Sequence, residues 1–277
     1  MKKTIGFIQF FPLFGEKTGN FQKILGLLNG TKADLIVLPE LFATGYTFTS
    51  GDELRSLAEK TEPPGETISF LKHISSLTGA VIVGGFAEEE NGDYFNSSAM
   101  VYRDQTIGIY RKIHLFQKEK LWFKAGNRPL EVHTVQGMRV GMMICFDWIF
   151  PETCRVLALK GAQVIAHPTN LVMPYCQQAM VTRCLENRVF AVTANRIGTE
   201  KRGDEENAFT GGSQITSFDG RILASAPSDN NCLAFTEIDP ERAENKKIND
   251  FNDLLQDRRP EFYQSVSIRK KDFSDEN

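Results

Sequence analysis

The chain has 277 residues, and its 32 lysines and arginines against 35 aspartates and glutamates give a formal net charge of −3. Hydrophobic residues make up 41% and charged residues 24%, a globular mixture that excludes a disordered chain, a collagen-like repeat and a disulfide-packed miniprotein. A charge this close to zero gives no bulk attraction to nucleic acid or to an anionic membrane.

Short apolar segments rich in β-branched residues predict ten strands in chain order. They are residues 4–10, 34–39, 80–86, 97–102, 106–112, 139–145, 162–168, 190–196, 213–218 and 232–238. Several are continuously apolar, which is typical of strands buried on both faces. Turn residues at 103–106 and at Asp219-Gly220 predict two hairpins.

Helical patterns occupy the gaps between these strands. Apolar residues at helical spacing predict helices over 20–28, 65–77, 151–160 and 174–188. Alternation of strands with helices favours a layered α/β fold. We expect one domain over 1–263 and a polar tail over 264–277 that is loose or lies on a partner.

The cysteines and the apolar runs bear on location. The apolar run 80–87 is far shorter than the roughly 20 residues that a membrane span needs. Gln9 and Pro12 interrupt the apolar start, so we interpret it as a first strand rather than a targeting segment. Five cysteines without a CxxC pair favour free thiols and a cytoplasmic protein.

No cofactor is expected. The four histidines are scattered and none joins a metal-binding pattern. Phosphate-binding glycine motifs and the GxSxG motif of serine hydrolases are both absent from the sequence. The sequence therefore predicts neither a metal, a nucleotide nor a serine nucleophile.

Four polar residues stand at the ends of predicted strands: Glu40, Lys112, Cys145 and Asn170. Each alone is compatible with packing, a cap or a charged edge, but side chains beyond strand ends can converge in an α/β sheet. Together they suit nucleophilic catalysis, in which the ammonium lowers the pKa of the thiol and the carboxylate moves its proton. The Lys112 ammonium and the backbone N–H of Phe146 could then hold an oxyanion.

Three segments in one order carry a family resemblance. They are LPELF at 38–42 followed by Gly45-Tyr46, YRKIHL at 110–115, and GMMICFD at 141–147 followed by FPE at 150–152. The pattern resembles the nitrilase superfamily of carbon–nitrogen hydrolases. The likeness continues through 161–198 and 252–263, so it covers nearly the whole chain.

The resemblance implies a four-layer α-β-β-α sandwich and a cofactor-free thioester mechanism. It implies Glu40 as general base and acid, Lys112 as oxyanion stabiliser and Cys145 as nucleophile. Glu119, seven residues after the lysine, would position substrate and tune Lys112. It further implies a homodimer or a higher homo-oligomer that pairs helices 151–160 and 174–188, with 252–263 crossing to the partner.

The residues after Cys145 bear on the branch of the superfamily. Cys145-Phe146-Asp147 differs from the Cys-Trp-Glu usual in true nitrilases, which favours a small amide as substrate over a nitrile. An N-carbamoyl amide stays open as substrate, and so does a non-catalytic scaffold of the same fold.

The sequence also suggests candidates for contact with the substrate. Phe146, Asn170 and Tyr46 are expected to contact substrate, with Phe116 and Trp148 as further pocket candidates. Nothing basic clusters near Cys145 in the sequence, although Arg196 or Arg202 could serve a substrate carboxylate.

Overall fold

A computed structural model describes residues 1–268. The chain divides into two compact units, Met1–Glu244 and a second that begins at Asn245. The boundary expected after residue 263 stays a prediction, and part of the expected tail lies outside the described residues. Among the described residues, no helix has the length and apolar character needed to cross a membrane.

Fourteen strands and six α-helices are described. The strands are β1 (Lys3–Gln9), β2 (Leu35–Val37), β3 (Val81–Glu90), β4 (Asp93–Tyr102), β5 (Gln105–Arg111), β6 (Val132–Val135), β7 (Met138–Met142), β8 (Val164–Pro168), β9 (Phe190–Ala194), β10 (Ile197–Arg202), β11 (Glu205–Thr210), β12 (Gln214–Thr216), β13 (Ile222–Ser225) and β14 (Cys232–Ile238). The helices are α1 (Lys17–Leu27), α2 (Gly51–Leu57), α3 (Glu66–Thr78), α4 (Glu119–Trp122), α5 (Pro151–Leu159) and α6 (Cys176–Asn187).

The strands form two six-stranded sheets and a separate ribbon. The first sheet has the order β14-β1-β2-β3-β4-β5, and the second has the order β13-β12-β9-β8-β7-β6. Parallel pairing joins β1, β2 and β3 in one sheet and β7, β8 and β9 in the other, with antiparallel strands outside each trio. The β10–β11 hairpin forms the ribbon.

The sheets pack face to face, and helices cover their outer faces. Alternation along β1 sends Ile5 and Phe7 into the core shared by the sheets, whereas Ile8 joins the cluster beneath α1 and α3. Helices α5 and α6 cover the second sheet. The layers are therefore α-β-β-α, which confirms the expected fold.

Local sequence explains where the main helices begin and end. Buried residues of α3 recur at helical spacing, and Gly79 ends the helix with a left-handed φ of +73°. Pro151 begins α5 at a position where the missing N–H removes no hydrogen bond.

All ten predicted strands and four predicted helices are present, and the predicted turns at 103–106 and Gly220 join antiparallel strands. The prediction missed β6, β10, β11, β13, α2 and α4. The β10–β11 ribbon was not predicted because its two strands are polar and partly exposed, so their sequences show no apolar alternation.

Candidate active site

Glu40, Lys112 and Glu119 meet in a buried charge cluster next to Cys145. The Lys112 Nζ lies 2.7 Å from Glu40 Oε1 and 2.7 Å from Glu119 Oε1. The charges of Glu40, Lys112 and Glu119 all act on the Cys145 thiol. Cys145 is 6% exposed, the largest exposure of the four, so water has little access to any of them.

Glu40 follows β2, where the chain crosses close to β3. Hydrogen bonds from Leu38 N to Val83 O (2.7 Å) and from Gly85 N to Pro39 O (3.2 Å) fix this segment against β3. A Cβ at Gly85 would lie 2.6 Å from Glu40 Cα, closer than atoms can pack. Glycine at position 85 is therefore what lets Glu40 approach the sheet.

Asn96 on β4 links Glu40 to Lys112. Its side-chain Nδ2 donates to Glu40 Oε1 at 2.7 Å, and its backbone oxygen accepts the N–H of Lys112 at 2.8 Å. Gly126 N donates to the carbonyl of Lys112 at 2.8 Å. Asn96 thus positions both the side-chain carboxylate of Glu40 and the backbone of Lys112.

Cys145 begins a short 3-10 helix, Cys145–Ile149, in a left-handed conformation with φ +41°. A non-glycine residue rarely adopts this conformation, so surrounding contacts must hold it. Asp147 does so, because its carboxylate accepts Ile144 N at 2.9 Å, Tyr110 OH at 2.7 Å and His114 Nδ1 at 2.7 Å.

His167 on β8 holds the backbone of Cys145 from the other side. Its Nε2 lies 3.0 Å from Cys145 O, and its Nδ1 lies 3.2 Å from Thr193 Oγ1. A carbonyl only accepts, so Nε2 carries the proton and donates. Burial lowers the pKa of His167 to about 4, which keeps the imidazole neutral at ordinary pH.

Lys112 lowers the pKa of the Cys145 thiol, as expected from the sequence, but its effect does not decide the net direction. Burial raises the pKa of Cys145 well above its usual value, the charge of Glu40 adds to that rise, and Lys112 opposes it without prevailing. The thiol therefore rests protonated and needs a base when it attacks.

Burial alone would lower the pKa of Lys112, but the charges of Glu119 and Glu40 raise it above the ordinary value. Burial raises the pKa of Glu119 against the opposing charge of Lys112. Burial and the charge of Glu119 raise the pKa of Tyr46, whose neutral hydroxyl donates to Glu119 Oε1 at 2.8 Å. Phe116 N donates to the other oxygen of Glu119 at 3.1 Å.

A small pocket opens onto Cys145. It has about 230 Å³ of empty space, its open mouth included, and its lining residues are Phe116, Cys145, Phe146, Trp148, Asn170, Leu171, Val172 and Met173. Phe116 and Phe146 form one wall, with ring centroids 5.0 Å apart. The sequence-predicted Phe146 and Asn170 thus share a pocket with Cys145.

Tyr46 lines a different pocket. That second pocket also contains Glu119, Trp122 and Asn207. Tyr46 touches the charge cluster through Glu119, and its direct contact with substrate stays a prediction.

Neither arginine considered for a substrate carboxylate is available for that role. Arg196 is buried, pairs with Glu200 at 3.1 Å and lies over the ring of Phe209 at 4.0 Å. Arg202 pairs with Glu53 at 2.7 Å. Because both guanidinium groups already neutralise protein carboxylates, a substrate carboxylate would have to displace one.

Sequence reasoning missed Asn96, Asp147 and His167. His167 lies within the apolar run 162–168, which is a weak sequence signal for a buried polar residue with a dedicated partner. Asn96 lies just before the predicted strand 97–102 and next to two serines, so the sequence does not single it out. Asp147, two residues after the cysteine, could have been found as the acidic residue of a helical first turn.

Comparison with known proteins gives a consistent picture. A model of the carbon–nitrogen hydrolase family matches residues 4–247. A nitrilase from Pyrococcus abyssi is 45% identical over 262 residues, which is 94% of this chain and 98% of that protein. An (R)-stereoselective amidase from Pseudomonas is 37% identical over 199 residues, which is 71% of this chain and 70% of that protein.

Similarity also extends to solved structures. A carbon–nitrogen hydrolase from Helicobacter pylori superposes with a TM-score of 0.87 at 24% identity, over 97% of this chain and 99% of that one. At that level of identity the likeness concerns the fold.

Proposed function

This chain belongs to the carbon–nitrogen hydrolase family of the nitrilase superfamily, and on that premise we propose that it hydrolyses a small aliphatic amide to a carboxylic acid and ammonia. The reaction proceeds through a thioester on Cys145. Glu40, Lys112 and Glu119 complete the catalytic group, and no cofactor takes part.

The observation that carries the proposal is that the two carboxylate oxygens of Glu40 differ in their hydrogen bonds. Oε1 accepts hydrogen bonds from Asn96 and Lys112, both at 2.7 Å. Oε2 is buried and has no hydrogen-bond partner among the described residues. A buried carboxylate oxygen without a donor is costly, and beside a protonated thiol it is suited to accept the thiol proton.

Acylation of Cys145 is the first half of the reaction. The Cys145 proton passes to Glu40 Oε2 as the sulfur bonds to the amide carbon, and the carbonyl electron pair moves onto oxygen. Lys112 has three N–H donors and uses two on carboxylates, so the third can meet this oxyanion. The Phe146 N–H, at a helix start where amides lack intrahelical acceptors, is the second donor.

Collapse of this intermediate releases ammonia. Glu40 gives its proton to the amide nitrogen, the C–N bond breaks and a thioester remains on Cys145. Water then loses a proton to Glu40 and attacks the thioester, the C–S bond breaks, and the sulfur recovers the proton. One difficult displacement is thereby divided into two easier ones.

Glu119 supports this sequence from beside the lysine. Its Oε1 holds Lys112 Nζ and receives the Tyr46 hydroxyl, so the ammonium is held between two carboxylates. We assign Glu119 to positioning Lys112 and the substrate amide.

Nitrile hydrolysis is the second candidate, because the 45% identical relative is named a nitrilase. The amide is preferred for the residues that follow Cys145 and for the relative named an amidase. An N-carbamoyl amide would follow the same steps, except that the carbonyl carbon attacked by Cys145 carries a second nitrogen.

A substrate screen tests the proposal. Primary amides, N-carbamoyl compounds and nitriles are each incubated with the wild type, with Cys145→Ala and with the control Cys232→Ala, and released ammonia is measured. We expect amides to give the fastest release, Cys145→Ala to give none above the blank, and Cys232→Ala to match the wild type. Turnover that survives in Cys145→Ala, or no amide turned over by the wild type, would overturn the proposal.

A further inference from the structure

The side-chain amide of Asn170 is buried and makes no hydrogen bond with the described residues. It is 2% exposed, and both Oδ1 and Nδ2 lack a hydrogen-bond partner among residues 1–268. Asn195 shows what a structural asparagine does in the same region: its Oδ1 accepts Leu171 N at 2.9 Å and its Nδ2 donates to Gly211 O at 2.7 Å. Leaving both atoms of such an amide unpaired is unfavourable, which points to a ligand that pairs them.

The surroundings of Asn170 restrict what that ligand can be. Asn170 and Cys145 line the same pocket, and the rest of the lining is aromatic or aliphatic. No acidic or basic side chain lines this pocket among the described residues. A charged group bound against such walls would lose its hydration without gaining a counter-ion.

We propose that Asn170 is a specificity-determining residue that binds the acyl part of the substrate. The inferred substrate is a primary amide whose acyl group is uncharged and mostly apolar, and carries one hydroxyl or second amide group. This inference rests on the proposed function, because it concerns the acyl side of the amide that Cys145 attacks.

The two free atoms of Asn170 select this chemistry. A hydroxyl can donate to Oδ1 and accept from Nδ2 at once, and so can a second amide. A carboxylate offers only acceptors and an ammonium only donors, so each would leave one Asn170 atom unpaired and add an uncompensated charge. A purely alkyl acyl group would leave both atoms unpaired.

Binding to an inactive protein tests this without turnover. Cys145→Ala is titrated by calorimetry with 2- and 3-hydroxyalkyl primary amides and with matched amides in which a methyl group replaces the hydroxyl. We expect at least one hydroxy amide to bind about tenfold more tightly than its methyl match, as one well-placed hydrogen bond provides. Cys145→Ala/Asn170→Leu should lose that preference, and the exposed control Cys145→Ala/Asn29→Leu should keep it.

A third variant guards against loss of folding. Cys145→Ala/Asn170→Asp replaces the donor with a carboxylate oxygen, so it should bind 2-aminopropanamide, a cation, more tightly than the parent does. Equal affinity for hydroxy and methyl amides, no detectable binding of either, or a preference that survives Asn170→Leu would overturn the inference. Cys145-dependent ammonia release by the Asn170-intact enzyme would still stand in that case, so the two proposals fail separately.

Discussion

At the scale of single residues, Lys112 is the group on which the charge cluster depends. It is fully buried, and it contacts the carboxylates of Glu40 and Glu119. Removing it would leave two buried carboxylates without a counter-charge, which typically costs about 3–5 kcal/mol of stability. We therefore expect a change at Lys112 to affect both stability and the proposed reaction.

Lys112→Met is expected to abolish ammonia release and to raise the pKa of the Cys145 thiol further, because the one charge that lowers it is gone. The pH dependence of iodoacetamide labelling of Cys145 measures this rise. The exposed Lys120→Met is the control and should label like the wild type. A labelling profile in Lys112→Met that coincides with the wild type would remove Lys112 from the thiol's surroundings.

Asn96 orients Glu40 without belonging to the pocket that Cys145 lines. Asn96→Ala should therefore lower kcat by about 10- to 100-fold and leave KM nearly unchanged, since only the base is misplaced. Asn96→Asp should lose more, because it sets a carboxylate beside Glu40.

Ser98→Ala is the matched control for Asn96, on the same strand and equally buried, with only a 3.4 Å bond to Gly84 O. It should keep kcat near the wild-type value. A rise in KM at constant kcat in Asn96→Ala would instead place Asn96 in substrate binding.

Sequence could bring Glu40, Lys112 and Cys145 into one site because each follows an apolar strand and lies in a recognisable segment. It could not give the direction of the shift in the thiol pKa, because that direction depends first on how deeply Cys145 is buried and then on the charges around it in the folded chain. Nor could it give Asn96 or His167, whose roles depend on partners 56 and 22 residues away.

At the scale of elements, the close contact of β3 with the segment after β2 sets the position of Glu40. The backbone of Glu40 and Leu41 occupies the space that a side chain at Gly85 would fill. Leu41 also has a left-handed φ of +47°, so the chain turns sharply after the carboxylate.

Gly85→Ala is expected to lower the free energy of unfolding by about 1–3 kcal/mol and to reduce kcat, because the added methyl group pushes Glu40 from its place. Chemical denaturation and ammonia release measure the two effects. The control is Gly26→Ala: Gly26 is an exposed position of helix α1 with open space around it, so this change should stabilise by up to about 1 kcal/mol. Full activity in Gly85→Ala would contradict the role given to this contact.

Strands and helices could be predicted where their burial produces a run or a periodic spacing of apolar residues in the sequence, and they were missed where it does not. The strands β2, β8 and β9 are continuously buried and were apparent as apolar runs. Helix α4 has only four residues, too few for a period to appear. It nevertheless begins with Glu119, which the superfamily resemblance indicated and local pattern did not.

At the scale of the whole molecule, buried ionisable groups couple stability to pH. His167 has a folded-state pKa of about 4 against 6.5 for the free side chain. The unfolded chain therefore binds the proton more readily between these values. The stability that neutral His167 contributes is complete above about pH 6.5 and is lost as the pH falls toward 4.

The free-energy advantage of the wild type over His167→Gln is therefore expected to shrink by about 3 kcal/mol between pH 7 and pH 4. Denaturant titrations at intervals across that range measure it. The exposed His73→Gln should track the wild type throughout. If the difference in unfolding free energy between the wild type and His167→Gln stays constant with pH, His167 does not have a lowered pKa in the folded protein.

Assembly and location stay predictions. The expected dimer face on α5 and α6 exposes Leu159 (47%) and Leu185 (51%), which is compatible with pairing of two copies. Sedimentation at micromolar concentration distinguishes a dimer from a monomer.

The thioester is the central claim, and product partitioning tests it most directly. An amide and the methyl ester of the same acid are hydrolysed in the presence of hydroxylamine, and the ratio of hydroxamate to acid is measured for each. After the protein-free reaction is subtracted, a common acyl-Cys145 intermediate predicts one ratio for both substrates and loss of both products in Cys145→Ala. Ratios that depend on the leaving group, or hydroxamate formed by Cys145→Ala faster than in the protein-free reaction, would contradict it.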